Sequence, residues 1–227
     1  MVVTYIEHSG FSVELPECTL LFDYYLGKLP EFPKVHPLIV FASHVHGDHF
    51  QKKIFQLREQ YQEVYFVLSD DIPKKYDAPD VIWVSSDVKV TVAGCEITCL
   101  KSTDEGVAFL VKCGEKTVYH AGDLNWWHWE EESATYNDEM KQNYQREVDK
   151  LEGRKIDAAF VPVDPRLEDA YFWGIDYFMR KTDTKVVFPM HFWGKYETID
   201  CLIRQKETED YRDRIAEIDW KGERFSI

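Results

Sequence analysis

The seven residues Ser43-His44-Val45-His46-Gly47-Asp48-His49 hold three of the chain's eight histidines and one carboxylate, directly after the apolar run Leu38–Ala42. In an extended segment, side chains two apart point to the same side, so His44 and His46 can grip one ion together. Gly47 permits a tight turn that brings Asp48 and His49 round to a neighbouring position. Imidazole nitrogens and carboxylate oxygens suit zinc or a similar first-row metal. Two later segments repeat the logic of a ligand just past a buried strand. Thr117-Val118-Tyr119-His120-Ala121-Gly122-Asp123 ends on a carboxylate whose two oxygens can bridge two ions. Val186-Val187-Phe188-Pro189-Met190-His191 ends on a lone histidine, which alone reads as a core residue and beside the first cluster reads as a ligand.

Such residues need strands to aim them, and the sequence supplies many. Alternating or β-branched runs cover Val2–Ile6, Phe11–Leu15, Thr19–Phe22, Leu38–Ala42, Val64–Leu68, Val81–Val84, Lys89–Val92, Glu96–Leu100, Val107–Lys112 and Thr117–His120. A polar, helix-favouring stretch runs from about Glu131 to Leu151 and stops at Gly153, with Glu130–Glu132 read as its dipole-matched start. Strands are predicted again over Ile156–Val163 and Lys185–Pro189, helices over Ile175–Arg180, Thr198–Lys206 and Arg212–Ile218, and a terminal strand over Arg224–Ile227. No Pro/Gly/Ser-rich linker and no fixed-period repeat divides the chain. One α/β domain spanning residues 1–227, with two packed sheets, is the economical expectation.

A net charge of −14, with Lys and Arg scattered rather than clustered, disfavours nucleic acid and anionic membranes as partners and leaves a small-molecule substrate. The chain has no run of about 18 apolar residues, and MVVTYIEHSGF lacks the basic and apolar regions of a signal peptide. Five cysteines without a CxxC pair read as core thiols of a reducing compartment. These features predict a cytoplasmic protein.

The pattern His-x-His-x-Asp-His, then Gly-Asp after a strand, then a late strand-end His, resembles the metallo-β-lactamase superfamily across nearly the whole chain. Leu20-Leu21-Phe22-Asp23 is similar to that family's first motif, whose acid supports the metal site from behind its ligands. Glu7-His8-Ser9-Gly10-Phe11 and Tyr119–Asp123 resemble the compact hydrolases related to ascorbate-6-phosphate lactonase. The resemblance implies a four-layer αβ/βα sandwich with the site at one edge between the sheets. It also implies one or two Zn²⁺ ions, or Mn²⁺, Fe or Ni²⁺ as in some members. His44 and His46 would hold the first ion, Asp48, His49 and His191 the second, and Asp123 both. The implied activity is hydrolysis of a small ester, lactone, amide or phosphoester by metal-activated water, with Asp48 orienting that water or taking its proton.

One departure from the pattern stands out. The family's usual histidine between the first cluster and Asp123 is missing, and Leu100-Lys101-Ser102-Thr103-Asp104-Glu105-Gly106 occupies its place, so water or Asp104 is left to complete the first position. Asn125-Trp126-Trp127-His128-Trp129-Glu130 follows Asp123 at once, and three tryptophans in four residues predict burial or a pocket wall. His8 and His120 read as structural or supporting, and His128 as a surface or pocket histidine. Two other functions stay open: iron-dependent oxidation on the same fold, and a non-catalytic metal-binding protein with a degenerate site. Flavodiiron members of the superfamily typically carry Glu where this chain has His46, which favours hydrolysis.

Overall fold

The computed structural model describes residues 1–227 as two sheets packed face to face. The first holds seven strands in the order β13-β1-β2-β3-β4-β5-β6 and the second six in the order β12-β11-β10-β9-β8-β7. In chain order they are β1 (Val2–Glu7), β2 (Gly10–Glu14), β3 (Thr19–Phe22), β4 (Leu38–Ala42), β5 (Val64–Ser69), β6 (Val81–Val84), β7 (Lys89–Val92), β8 (Cys95–Lys101), β9 (Val107–Cys113), β10 (Lys116–His120), β11 (Lys155–Pro162), β12 (Asp183–Met190) and β13 (Arg224–Ser226). Three α-helices join them: α1 (Ala134–Asp149), α2 (Trp173–Lys181) and α3 (Glu197–Arg204).

Side-chain alternation decides which face each strand buries. On β4, Ile39 and Phe41 enter the core between the sheets, with Phe11, Phe22, Phe109 and Phe160, while Leu38, Val40 and Ala42 face outward. Ile54 and Leu57, from a 3-10 helix over Lys52–Glu59, cover that outer face. Tyr144 and Val148 of α1 and Ile175 and Phe178 of α2 belong to the core cluster shared with the second sheet. The layers thus run helix, sheet, sheet, helix. The outer layer on the first sheet is a 3-10 segment rather than an α-helix.

Strand direction positions the chemistry. β3, β4, β5 and β6 pair in parallel, as do β10, β11 and β12. β1 runs antiparallel to β2, and β2 antiparallel to β3, so β1 shares the direction of β3. By the same reasoning through β9, β8 shares the direction of β10. The C-terminal ends of β1, β3 and β4 therefore gather at one edge of the first sheet, and those of β8, β10, β11 and β12 at one edge of the second. Gly106 seals the two edges together at φ +68°, where a Cβ would lie 2.0 Å from the Ser43 carbonyl oxygen. Only glycine fits there.

Several expectations need correction. The acidic run Glu130–Glu132 precedes α1 instead of opening it: Ser133 is the N-cap, its side chain accepting a hydrogen bond from the Tyr136 amide at 3.2 Å. Arg212–Ile218 is not a helix. It contains one 3-10 turn, Arg212–Arg214, after which Ile215 bridges to Val187 of β12 as extended chain. Cys95 and Cys113 are not free thiols but a disulfide, because the β8–β9 register that pairs Glu96 with Lys112 sets them opposite each other, 4.5 Å apart at Cα. Cys18 and Cys99 are buried thiols as expected, while Cys201 is exposed.

Candidate metal centre

Asp23, at the end of β3, is the hidden support of the first motif. Its carboxylate is fully buried and accepts hydrogen bonds from the Ser43 amide (2.8 Å), the Ser43 hydroxyl (2.7 Å) and His49 Nδ1 (2.7 Å). Because the Ser43 hydroxyl donates to Asp23, it accepts from His44 Nδ1 at 2.9 Å. Asp164, just past β11, does the same for the second sheet, accepting from His191 Nδ1 at 2.8 Å. Each of these three histidines thus commits its Nδ1 proton to a support and leaves an unprotonated Nε2 for the site. Burial also keeps them neutral. It pushes the His44 pKa down to about 3, with the neighbouring His49 adding to the effect, and lowers those of His49 and His191.

Those Nε2 atoms converge on Asp123. Its Oδ1 lies 3.2 Å from His49 and 3.5 Å from His191, while its Oδ2 lies 3.5 Å from His44. Two ligand atoms held ~2.0–2.1 Å from one tetrahedral ion are roughly 3.3 Å apart, so these are the edges expected around a zinc-sized cation. Each oxygen of Asp123 faces a different set of histidines, which is the arrangement of a bridging carboxylate. Without a cation this packing is costly. Burial, then the charges of Asp104, Asp23, Asp48 and Asp164, raise the Asp123 pKa far above the usual carboxylate range.

The histidine and carboxylate ligand atoms around Asp123 sort into two groups, in each of which they all lie within 4.8 Å of one another. One is His44, His46, Asp104 and Asp123; the other is His8, Asp48, His49 and His191. All six residues singled out from the sequence are in these two groups, and each group gains one more. Asp104 is the residue left open above: its Oδ2 approaches His46 Nδ1 to 3.6 Å in the place of the absent histidine. Its loop is pinned by Thr103, whose hydroxyl donates to the Asn125 carbonyl (2.6 Å) and accepts from the Asn125 amide (3.0 Å).

His8, expected to be structural or supporting, has the position of a candidate ligand. It sits in the β1–β2 turn at φ +54°, is almost fully buried, and places Nε2 3.5 Å from Asp48 Oδ2. Its ring lies 4.1 Å from that of His191, centroid to centroid. The overlooked signal is the strand-end rule already applied to the other ligands, since His8 directly follows β1. His120, by contrast, is structural as expected. It donates Nε2–H to the Ser9 carbonyl (2.8 Å), accepts the Gly122 amide at Nδ1 (3.1 Å) and stacks on Phe22.

The residues present fit a metal. His8 Nε2, His44 Nε2, His49 Nε2 and Asp123 Oδ1 are all buried without a hydrogen-bond partner. Four orphaned atoms in one place need partners, and bound cations are the partners that satisfy them together.

A pocket of about 290 Å³ opens over this centre, lined by Asp48, Asp104 and Asp123 on its polar side and Trp127, Trp129 and Trp193 on its aromatic side. The tryptophan run divides its labour. Trp126 turns away to pack on Trp173 and Tyr144. Trp127 stacks on Trp129, donates Nε1–H to the Asp123 carbonyl at 2.9 Å and meets the His191 ring at 5.4 Å. Chelation of bound metal is therefore expected to change tryptophan emission equally in the native chain and in Trp126→Phe, and by less in Trp127→Phe, where Trp193, also 5.4 Å from the His191 ring, still responds. An undiminished response in Trp127→Phe would remove Trp127 as a reporter of the site. His128 packs on Trp173 and joins neither group.

Comparison with known proteins adds a family. A family model described as the beta-lactamase superfamily domain matches residues 2–191. A curated relative from Opitutus terrae, a UPF0173 metal-dependent hydrolase, is 29% identical over 142 residues, covering 54% of this chain and 63% of that protein. The matched region thus spans less than two thirds of the relative's length. Among solved structures, Igni18, a metallo hydrolase from Ignicoccus hospitalis, superposes with a TM-score of 0.65 at 18% identity, covering 100% of this chain and 98% of that one. CmlA, a diiron beta-hydroxylase from Streptomyces venezuelae, superposes with a TM-score of 0.63 at 14% identity, covering 100% of this chain and 54% of that one. At such identities these structures speak for the fold alone.

Proposed function

The chain belongs to the β-lactamase superfamily and has the metallo-β-lactamase fold, and from that premise we propose that it is a metal-dependent hydrolase of a small ester, lactone, amide or phosphoester. The observation that carries this reading is the convergence of four buried, unpartnered acceptor atoms beneath an open pocket. The curated relative's name points the same way. His44, His46, Asp104 and Asp123 would hold one ion and His8, Asp48, His49 and His191 the other, with Asp123 shared. Zn²⁺ suits this donor set; Mn²⁺, Fe or Ni²⁺ are the alternatives. Both sheets contribute to the one site, which supports treating residues 1–227 as a single domain.

The chemistry a divalent cation would supply there is a lowered water pKa near neutrality and stabilisation of negative charge at a carbonyl or phosphoryl oxygen. The chain's own residues do the rest. Asp23 and Asp164 fix the histidine rings. The His8 imidazole, 3.5 Å away, and the nearby His49 together outweigh partial burial, hold Asp48 below the usual carboxylate range and so keep it ionised. Asp48 lines the pocket, which supports the role of proton acceptor from water that we assign to it. The indoles of Trp127 and Trp129 exclude bulk water from one side.

Turnover of a panel of aryl esters, lactones and phosphodiesters by Zn²⁺- and Mn²⁺-loaded protein tests the proposal. Hydrolysis is expected with at least one class, reduced about 10²–10⁴-fold in Asp48→Asn. Stoichiometric iron with oxygen consumption would favour oxidation instead, and full metal occupancy without any turnover would favour a binding protein. No helix is long and apolar enough to cross a membrane. Cytoplasmic residence remains a proposal, and it loses the cysteine argument with the Cys95–Cys113 bridge, which a reducing compartment would open.

A further inference from the structure

Arg166 is the one lysine or arginine lining the pocket above the metal centre. Its position is heavily constrained. Nε donates to both oxygens of Asp164 (3.0 and 2.9 Å) and Nη2 to Oδ2 (2.6 Å), so one edge of the guanidinium is fully used. Nη1 makes no such bond, and the side chain is 48% exposed. The guanidinium carbon lies 4.8 Å from the Trp193 ring centroid and 5.6 Å from that of Trp129. Trp193 is itself fixed by an Nε1–H donated to Asp164 at 3.1 Å. Glu168, His191 and Trp193, on the two segments around Asp164, all take φ values between +50° and +63° although none is glycine. Strain of this kind collects where a fixed geometry is used.

A guanidinium anchored along one edge, on a side chain that lines a pocket, is preorganised for a planar oxyanion, because little rotamer freedom remains to be lost on binding. The flanking indoles suit a flat apolar body. A pocket of about 290 Å³ is at the small end for ligand sites, which limits that body to a compact one. We propose that the substrate carries a carboxylate or phosphate group bound by the free edge of Arg166, with an aromatic or planar apolar part against Trp129 and Trp193. This deepens the reading of the pocket as the substrate site and makes Arg166 its specificity-determining residue.

The test reads binding rather than turnover, so it stands apart from whether the protein proves to be a hydrolase. Zn²⁺-loaded protein is titrated by calorimetry with 2-naphthoate, 2-naphthylphosphonate and the neutral 2-naphthamide. At least one anion is expected to bind about tenfold or more tighter than the amide, and the tighter of the two identifies which oxyanion the site prefers. In Arg166→Met the anion's advantage should vanish while amide affinity and metal content hold. Arg166→Lys, which keeps the charge but lacks the fork, should retain part of the advantage and serves if Arg166→Met does not fold. An advantage unchanged in these variants would mean that the metal alone binds the anion. An equal fall for all three probes would mean that Arg166 only braces Asp164. Either result overturns the proposal, as does an amide that binds the native protein as tightly as both anions.

Discussion

Replacing His46 and His49 together by alanine is expected to abolish stoichiometric metal binding while leaving a folded chain. Structural zinc contributes ~10–16 kcal/mol over four ligands, or roughly 3 kcal/mol each. The double replacement takes one ligand from each group, and with it the Nε2 that approaches Asp123 Oδ1 most closely. If both lost ligands bear on the retained ion through the shared carboxylate, the cost is roughly 6 kcal/mol, about four orders of magnitude in affinity. The fold should survive. Asp23 keeps both hydrogen bonds from Ser43, and His46 is half exposed, its ring meeting that of His44 edge-on at 4.6 Å. Elemental analysis after gel filtration gives metal per chain, and circular dichroism reports the fold. Unchanged metal content in a folded double variant would falsify the assignment of this centre.

The sequence made this cluster easy to find because its members are neighbours in the chain and lie just past a strand. Asp123 and His191 follow by the same rule, since β12 ends immediately before His191 and β10 ends three residues before Asp123. The rule was not applied to β1, whose flanking Tyr5, Ile6 and Phe11 read as packing. Only the two antiparallel pairings that carry β1 into the direction of β3 bring His8 to the same edge. Asp104 was marked because a histidine was missing there, but whether its loop reached inward depended on the Thr103–Asn125 contacts, which no local pattern encodes. Asp164 and Arg166 had no signal beyond a strand end at Val163, because their meaning comes from His191 and Trp193, some 27 residues away. The Cys95–Cys113 bridge was likewise hidden. Hairpin register created it, and an 18-residue separation without a CxxC motif does not announce it.

The two metal positions are expected to differ in affinity, with the tighter one at His8, Asp48, His49 and His191. Of that group only Asp48 is not almost fully buried, and His49 and His191 are oriented by Asp23 and Asp164, so little ordering remains to be done on binding. The other group has two buried members, His44 and Asp123, but His46 and Asp104 have side chains 47% and 45% exposed, which must be immobilised in competition with water. With two imidazoles to two carboxylates, against three imidazoles at the tighter position, this group is also the harder site, which shifts its preference toward Mn²⁺. Calorimetric titration of metal-free protein with Zn²⁺ should therefore show two binding steps separated by about 100-fold or more, the equivalent of losing one ligand's worth of roughly 3 kcal/mol. His8→Asn probes the tighter step. Asparagine tolerates the left-handed backbone that His8 adopts at φ +54°, so the change removes the imidazole without adding strain. It should weaken the tight step by about 100-fold and leave the weak one in place. Asp104→Asn should weaken only the weak step and reduce its preference for Mn²⁺. Two equally tight steps in the native protein would overturn the asymmetry, as would loss of the tight step in His44→Ala but not in His191→Ala. If His8 merely packs behind the site, His8→Asn will lower the melting temperature and leave both binding constants where they were.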